Sequence, residues 1–121
     1  MERILVVEDE EVLRMLVVDT LVDEGYKVDE ACDGDEAIEL FKKHAYDLVI
    51  VDYMMPGYTG LDLIKRLRLQ HEEVKIIMLS AKNQASQQQK VLEAGADAFI
   101  SKPFSPLALV ARIEEILRES A

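Results

Sequence analysis

The sequence predicts a small α/β domain with a doubly wound (βα)5 fold, in which helices cover both faces of a five-stranded parallel sheet. Short apolar runs alternate with longer segments of helical periodicity five times along the 121 residues. Most of the short runs are continuously apolar, which is typical of parallel strands buried on both faces. No linker, repeat or low-complexity tract interrupts the alternation, so we expect one domain over residues 1–121.

The five strands follow from apolar runs that end in polar or turn residues. We predict them at Arg3–Val7, Lys27–Ala31, Asp47–Asp52, Lys75–Ser80 and Ala98–Ser101. Four are rich in Val, Ile or Leu, whereas the second, "KVDEA", is polar. Right-handed crossovers leave few strand orders for such a sheet, and the flavodoxin-like order 2-1-3-4-5 is a common one.

The first helix is predicted between Glu11 and Glu24, with Gly25 as its terminator. We expect its apolar residues to form one buried stripe, made of Val12, Leu13, Leu16, Val17 and Leu21. Apolar residues at helical spacing predict four further helices. The second is marked by Ala37, Ile38 and Phe41, and the third by Leu63, Ile64 and Leu67. The fourth is marked by Val91 and Leu92 and ends at Gly95, and the fifth is marked by Leu109, Val110, Ile113, Ile116 and Leu117.

Composition excludes several classes of function. The formal net charge of -10 argues against direct nucleic-acid binding by this domain, because such binding requires Lys and Arg against phosphates. The longest apolar run, Leu107 to Ala111, is far shorter than the roughly 20 residues that span a membrane. The start, "MERILVV", lacks the features of a signal peptide, so we expect a cytoplasmic protein. Cys32 is the only cysteine, and we expect it to be buried as a small apolar residue.

Polar residues follow four of the five predicted strands. Glu8 and Asp9 follow the first strand, Asp52 ends the third, Ser80 ends the fourth and Lys102 follows the fifth. The carboxyl ends of parallel strands share one edge of the sheet, and ligands bind there where the strand order reverses. With order 2-1-3-4-5 the reversal lies between the first and third strands. We therefore expect the three carboxylates to face one another.

This set of groups favours phosphoryl transfer. Each pair of carboxylates at about 4 Å costs on the order of 1 kcal/mol in water and about 4 kcal/mol at a protein surface. A divalent cation offsets that repulsion, and oxygen ligands favour Mg²⁺, with Mn²⁺ as an alternative. Asp52 would then be the nucleophile, Lys102 would neutralise the incoming oxygens and Ser80 would donate a hydrogen bond. Taken singly, each residue has an ordinary explanation as a cap, a turn or a surface charge.

Four segments closely resemble the receiver domains of two-component response regulators: "ILVVEDEE", "LVIVDYMMPGYTG", "IIMLSA" and "GADAFISKPF". The resemblance spans essentially the whole chain. It implies that Asp52 is the phosphoacceptor. It implies that Asp9, Asp52 and the Met54 backbone carbonyl are Mg²⁺ ligands, with Glu8 acting through water. It further implies that Ser80 and Lys102 contact the phosphoryl group and that Ser80 and Phe99 are switch residues. It also implies a cis peptide bond between Lys102 and Pro103.

The resemblance implies a phosphorelay signalling switch that takes a phosphoryl group from a histidine kinase or a histidine phosphotransfer protein. Such a domain catalyses its own phosphorylation and dephosphorylation, but it is primarily a signalling protein. Phosphorylation would alter the surface of the fourth helix, fifth strand and fifth helix for a downstream effector protein. Met54 and Lys82 occupy positions that tune the phosphoryl lifetime in the family. Residues 84–89 contain few apolar side chains, so we expect the start of the fourth helix to be mobile.

Other functions make different demands on the sequence. A flavodoxin-like cofactor-binding protein needs a phosphate loop after the first strand, where "VVEDEEV" would repel phosphate. A phosphatase of the aspartyl-phosphate type needs a second acid two residues after the nucleophile, and that residue is Met54.

The chain could also be the receiver fragment of a DNA-binding transcription regulator, because "KPFSPLALVARIEEIL" resembles the fifth helix of that class. Ala108 and Gln88 replace a charged pair through which such receivers associate, while Asp97 and Arg112 remain. We therefore expect a monomer when the protein is unphosphorylated.

Overall fold

The computed structural model describes residues 2–55, 58–71, 73–81 and 86–119. Five strands form the main sheet: β1 (Arg3–Val7), β2 (Lys27–Ala31), β3 (Leu48–Asp52), β4 (Lys75–Ala81) and β5 (Ala98–Lys102). The helices are α1 (Glu11–Asp23), α2 (Gly34–Lys43), α3 (Gly60–Gln70), α4 (Gln88–Ala94) and α5 (Pro106–Glu119). The predicted strands are confirmed to within one residue at each end.

The sheet has the order β2-β1-β3-β4-β5 with every pairing parallel, which confirms the doubly wound (βα)5 prediction. The strand order reverses between β1 and β3, so their carboxyl ends lie side by side. A two-residue antiparallel ladder between Met54–Met55 and Tyr58–Thr59 follows β3 and leads into α3. The peptide bond between Lys102 and Pro103 is cis, as the resemblance implied.

The core consists of two apolar layers, one on each face of the sheet. Along β1, Leu5 and Val7 contact the layer under α2, α3 and α4, whereas Ile4 and Val6 contact the layer under α1 and α5. β3 and β4 alternate in the same way. This two-sided burial explains why the central strands are continuously apolar. β2 lies at the edge of the sheet, which accounts for its polar sequence.

The start of α3 is fixed directly against the end of β3. Thr59 and Asp62 form a capping box, in which each side chain accepts a hydrogen bond from the other residue's backbone amide. A Cβ at Gly60 would lie 2.9 Å from the carbonyl oxygen of Asp52 and 2.7 Å from the sulfur of Met78. Only glycine therefore permits this close approach, which holds the chain tightly on both sides of the loop after Asp52.

The predicted buried stripe of α1 is partly wrong. Val17 and Leu21 are buried and Leu13 packs against the same layer, but Val12 is 75% exposed and Leu16 is 47% exposed. Successive residues on a helix are rotated by about 100°, so Val12 and Leu16 lie one position around the helix from the buried row. An apolar surface on α1 therefore remains open to solvent.

The prediction that Cys32 is buried is wrong, because its side chain is exposed. Cys32 follows Ala31, the last and fully buried residue of the edge strand β2, and lies where the chain leaves the sheet. Its sulfur lies 3.5 Å from Oε2 of Glu36, and this contact raises the pKa of the thiol above its usual value.

Among the described residues, no helix is long and apolar enough to cross a membrane. The expectations for Lys82 and for residues 84 and 85 fall outside the described residues.

The two leucines at opposite sides of α3 provide a test of the core. Leu63 is fully buried, whereas Leu69 is 84% exposed. Leu63→Ala should lower the free energy of unfolding by about 2–5 kcal/mol, because it removes apolar contacts and leaves a cavity. Leu69→Ala, the same substitution on the same helix, should change it by less than about 0.5 kcal/mol. Urea unfolding followed by circular dichroism measures both, and equal effects would contradict the core assignment.

Candidate functional site

Three carboxylates meet at the reversal point of the sheet. Glu8 and Asp9 follow the last residue of β1, and Asp52 is the last residue of β3. One oxygen from each side chain lies within 4.8 Å of the others. Asp9 is exposed, whereas Glu8 is 2% exposed and Asp52 is 6% exposed. The cluster is therefore open to solvent on one side and buried on the other.

Lys102, the last residue of β5, supplies the cation of this cluster. Its Nζ atom lies 3.1 Å from Oδ1 of Asp52 and 3.5 Å from Oε1 of Glu8. Because β4 lies between β5 and β3 in the sheet, the lysine side chain extends past the carboxyl end of β4 to reach Asp52. A half-buried ammonium group thus touches both buried carboxylates.

Burial and charge shift the pKa values of two of these groups in the same direction. Burial, together with the negative charge of Asp52, raises the pKa of Glu8 from 4.5 to about 8, against the opposing effects of the Glu10 amide and of Lys102. Partial burial lowers the pKa of Lys102, but its hydrogen bond and ion pair with Asp52 and Glu8 outweigh burial and leave the pKa raised. In the metal-free site, burial therefore favours the protonated form of Glu8, and the contacts with Asp52 and Glu8 favour the charged form of Lys102.

The backbone around Glu8 is fixed by groups that sequence inspection did not identify. The Glu8 amide donates to the carbonyl of Ala31 at 3.0 Å, and the Glu10 amide donates to Oε2 of Glu8 at 3.1 Å. Nη1 of Arg14 donates to the Glu8 carbonyl at 2.8 Å, while its Nε atom pairs with Glu30 at 2.9 Å. The sequence signal for this contact is an arginine in the first turn of α1, five residues after Asp9, because from there its long side chain can reach back to the end of β1.

The other predicted site residues lie around the cluster. Ser80 is fully buried on β4, one residue beyond Leu79, which pairs with Asp52 in the sheet. Met54 is 54% exposed beside the acidic edge. Phe99 is partly buried and packs against the core layer under α4. Ser80 thus belongs to the same edge as the carboxylates, whereas Phe99 lies on the side that leads to α4.

The carboxylate cluster fits a divalent cation. Oε1 of Glu8 is buried and accepts no hydrogen bond from the described residues, and its 3.5 Å separation from Lys102 is at the limit for one. A buried oxygen without a hydrogen-bond partner is costly, so the ionised form of Glu8 requires a further positive partner. Three carboxylates with one solvent-exposed side match the oxygen ligands and retained waters of Mg²⁺. These residues could therefore hold a magnesium ion.

The pKa of Glu8 leads to a pH test on the metal-free protein. The folded state keeps the Glu8 proton up to about pH 8, whereas the unfolded chain loses it near the ordinary value of 4.5. The stabilising effect of protonated Glu8 is therefore present at low pH and is lost as the pH rises through that window. In EDTA, Glu8→Gln should gain stability relative to wild type between about pH 5 and pH 8.

Urea unfolding at three pH values measures this difference, and Glu119→Gln, at an exposed glutamate near the end of α5, is the matched control. The free energy of unfolding of Glu119→Gln should differ from that of wild type by the same amount at every pH. A stability difference between Glu8→Gln and wild type that stays constant with pH would contradict the shifted pKa of Glu8.

Comparisons with known proteins agree with this geometry. A family model described as "Response regulator receiver domain" matches residues 4–114. The transcriptional regulatory protein DltR of Streptococcus agalactiae is 43% identical over 119 residues, which cover 98% of this chain and 53% of that protein. The chain spans about half the length of the curated relatives that it matches.

Two solved structures share the fold closely. NtrX from Brucella abortus superposes with a TM-score of 0.94 at 34% identity, over 98% of this chain and 27% of that chain. The chemotaxis response regulator CheY4 of Vibrio cholerae superposes with a TM-score of 0.90 at 33% identity, over 96% of this chain and 98% of that one. Since the family model covers nearly the whole chain and close relatives share both sequence and fold, the chain belongs to the receiver domain family of two-component response regulators.

Proposed function

We propose that this receiver domain is a signalling switch whose state is set by a phosphoryl group on Asp52. The observation that carries the proposal is the contact between the buried Asp52 carboxylate and the Lys102 ammonium, 3.1 Å apart, at an edge that also holds two further carboxylates. Membership of the family supports the same role. We further propose the cytoplasm as its compartment, because a phosphohistidine donor takes its phosphoryl group from ATP.

The transfer step follows from the groups at the sheet edge. An oxygen of the Asp52 carboxylate attacks the phosphorus of a phosphohistidine, an O–P bond forms, and the P–N bond breaks. The imidazole leaves and takes up a proton, while the aspartate becomes an acyl phosphate. The Lys102 ammonium neutralises the phosphoryl oxygens, and the Ser80 hydroxyl donates a hydrogen bond to one of them. Hydrolysis restores the carboxylate: water attacks the phosphorus, the bond between phosphorus and the Asp52 oxygen breaks, and inorganic phosphate leaves.

We propose Mg²⁺ as the cofactor, with Mn²⁺ as an alternative, held by Asp9, Asp52 and the Met54 carbonyl, and by Glu8 through water. When bound, the ion offsets the repulsion between the carboxylates and the incoming phosphoryl oxygens. The exposure of Asp9 supports a direct contact, because its carboxylate can be reached from solvent. Burial of Glu8 and its raised pKa are consistent with a supporting role behind the direct ligands.

The exposed apolar surface of α1 is the proposed docking site for the phosphodonor protein. It consists of Val12, Met15 and Leu16, which are 75%, 52% and 47% exposed. α1 begins two residues after Asp9, so this surface adjoins the acidic edge. A donor must bring its histidine ring to Asp52, and an apolar contact beside the site can hold it there.

The proposed output surface is formed by α4, β5 and α5. Asp97 accepts a hydrogen bond from the Ile76 amide at 2.8 Å and pairs with Arg68 at 3.2 Å, while Arg112 pairs with Glu115. These two charges are thus engaged within the chain. The engagement supports a monomer in the unphosphorylated state and a separate effector protein as the partner.

A second candidate is the receiver part of a longer DNA-binding regulator. The specific observation in its favour is that DltR, a transcriptional regulatory protein, is nearly twice as long as the aligned segment. In that case the output surface would contact a neighbouring domain of the same chain, and the chemistry at Asp52 would be unchanged.

Phosphorylation can be tested by intact mass. With Mg²⁺ and acetyl phosphate, wild type should gain one base-labile phosphoryl group and Asp52→Asn should gain none, because the amide cannot attack. EDTA and Asp9→Asn should both slow the labelling, since each removes part of the metal site. Asp97→Asn changes a carboxylate that is not part of the acidic cluster, so it is the matched control and should gain the phosphoryl group at the wild-type rate. Equal labelling of wild type and Asp52→Asn would overturn the proposal.

The α1 surface can be tested by comparing two donors. Leu16→Ser should slow transfer from a phosphorylated histidine phosphotransfer protein about 5-fold to 10-fold, because the lost apolar contact is worth about 1 kcal/mol. Labelling by acetyl phosphate, which needs no protein surface, should stay at the wild-type rate. Leu69→Ser, at an exposed leucine on the opposite face, is the control. Equal slowing with both donors would show that Leu16 does not act in docking.

A further inference from the structure

Tyr53 connects the residue next to Asp52 with the start of α4. Its amide donates to the carbonyl of Leu79 at 2.8 Å, and its own carbonyl accepts from the Gly60 amide at 2.7 Å. The half-buried ring packs against the core layer under α2, α3 and α4, and its hydroxyl donates to Oε1 of Gln87 at 3.4 Å. A movement of the rigid peptide between Asp52 and Tyr53 is therefore transmitted to Gln87 through one aromatic side chain.

The two ends of α4 are held very differently. At the C-terminal end, the carbonyl of Gly95 accepts hydrogen bonds from Nε and Nη2 of Arg68, at 3.1 Å and 2.7 Å. At the N-terminal end, Gln87 forms no side-chain cap, and the helix of seven residues has Val91 as its buried residue. The start of α4 is therefore the end that can move, and the hydroxyl of Tyr53 contacts it there.

We propose that Tyr53 is a positioning residue that restrains the first turn of α4 in the unmodified protein and releases it when Asp52 is phosphorylated. This proposal rests on the proposed function of Asp52. A neutral hydrogen bond of 3.4 Å is at the long limit, so a displacement of a few tenths of an ångström breaks it. The contact links Asp52 to the output surface by a route separate from Ser80 and Phe99.

Loss of the hydrogen bond between Tyr53 and Gln87 should change the affinity of the Asp52 site for a phosphoryl mimic in one direction. A hydrogen bond made in the unmodified state stabilises that state relative to the phosphorylated one. Removing it shifts the equilibrium toward the phosphorylated arrangement. Because coupling between two sites is reciprocal, the Asp52 site should then bind a phosphoryl mimic more tightly.

The experiment uses the full chain and three variants. Tyr53→Phe keeps the ring and removes the hydroxyl, Gln87→Ala removes the acceptor, and Gln88→Ala is the control at an exposed glutamine of the same helix. The first readout is hydrogen exchange of residues 86–94 in unmodified protein. The second is the affinity for beryllofluoride with Mg²⁺, measured by calorimetry.

Tyr53→Phe and Gln87→Ala should each speed exchange at the start of α4 several-fold and leave the Gly95 end unchanged, where Arg68 holds the helix. Each should raise beryllofluoride affinity about 2-fold to 10-fold, the range expected for one net hydrogen bond. The double variant should match either single variant, because both remove the same contact. A merely structural role of the hydroxyl would not raise this affinity.

The outcomes separate the two proposals. If wild type binds beryllofluoride and Tyr53→Phe binds it equally or more weakly, the restraint by Tyr53 is wrong and the function of Asp52 stands. Additive effects of Tyr53→Phe and Gln87→Ala would also overturn the restraint. If wild type neither binds beryllofluoride nor accepts a phosphoryl group, the proposed function fails and the restraint fails with it.

Discussion

The ion pair between Lys102 and Asp52 is the interaction on which the site depends. Three carboxylates converge where β1 and β3 end, and their mutual repulsion would favour separation of the strand ends. The ammonium, 3.1 Å from Asp52 and 3.5 Å from Glu8, reduces that repulsion without cancelling it. Burial, together with the remaining negative charge of Asp52, raises the pKa of Glu8, and one Glu8 oxygen has no hydrogen-bond partner among the described residues. The excess negative charge makes this edge of the sheet a fit for a divalent cation.

Rigidity is distributed unevenly around this site. The capping box at Thr59 and the close approach of Gly60 to the Asp52 carbonyl fix the start of α3 against the end of β3, and both residues lie within eight positions of Asp52. Arg68 binds carbonyl groups at the ends of α3 and α4 and pairs with Asp97, so the far end of α4 is also fixed. The near end of α4 has little buried surface. A conformational switch needs this difference in rigidity, because a structural change at a rigid site causes movement in the segment that is held least firmly.

Two surfaces of the domain differ in chemistry. α1 presents Val12, Met15 and Leu16 beside the acidic edge, on a chain whose net charge is -10. α4 begins with glutamines, and the charges of Asp97 and Arg112 are engaged within the chain. An apolar surface beside Asp52 is suited to a transient protein contact. A polar, weakly anchored surface suits a partner that distinguishes two states of one helix.

The sequence by itself determined the strands and the polar residues at their ends, because a strand buried on both faces needs an unbroken apolar run and its end is marked where polarity begins. It left a few right-handed strand orders, among which the tertiary structure has 2-1-3-4-5. It also placed Glu8, Asp9, Asp52, Ser80 and Lys102 at one edge. Only the tertiary structure decided which of the adjacent acids is buried, that Cys32, Val12 and Leu16 face solvent, and that Tyr53 reaches Gln87. These features depend on the rotation of each helix and on contacts between residues distant in sequence, and local periodicity specifies neither.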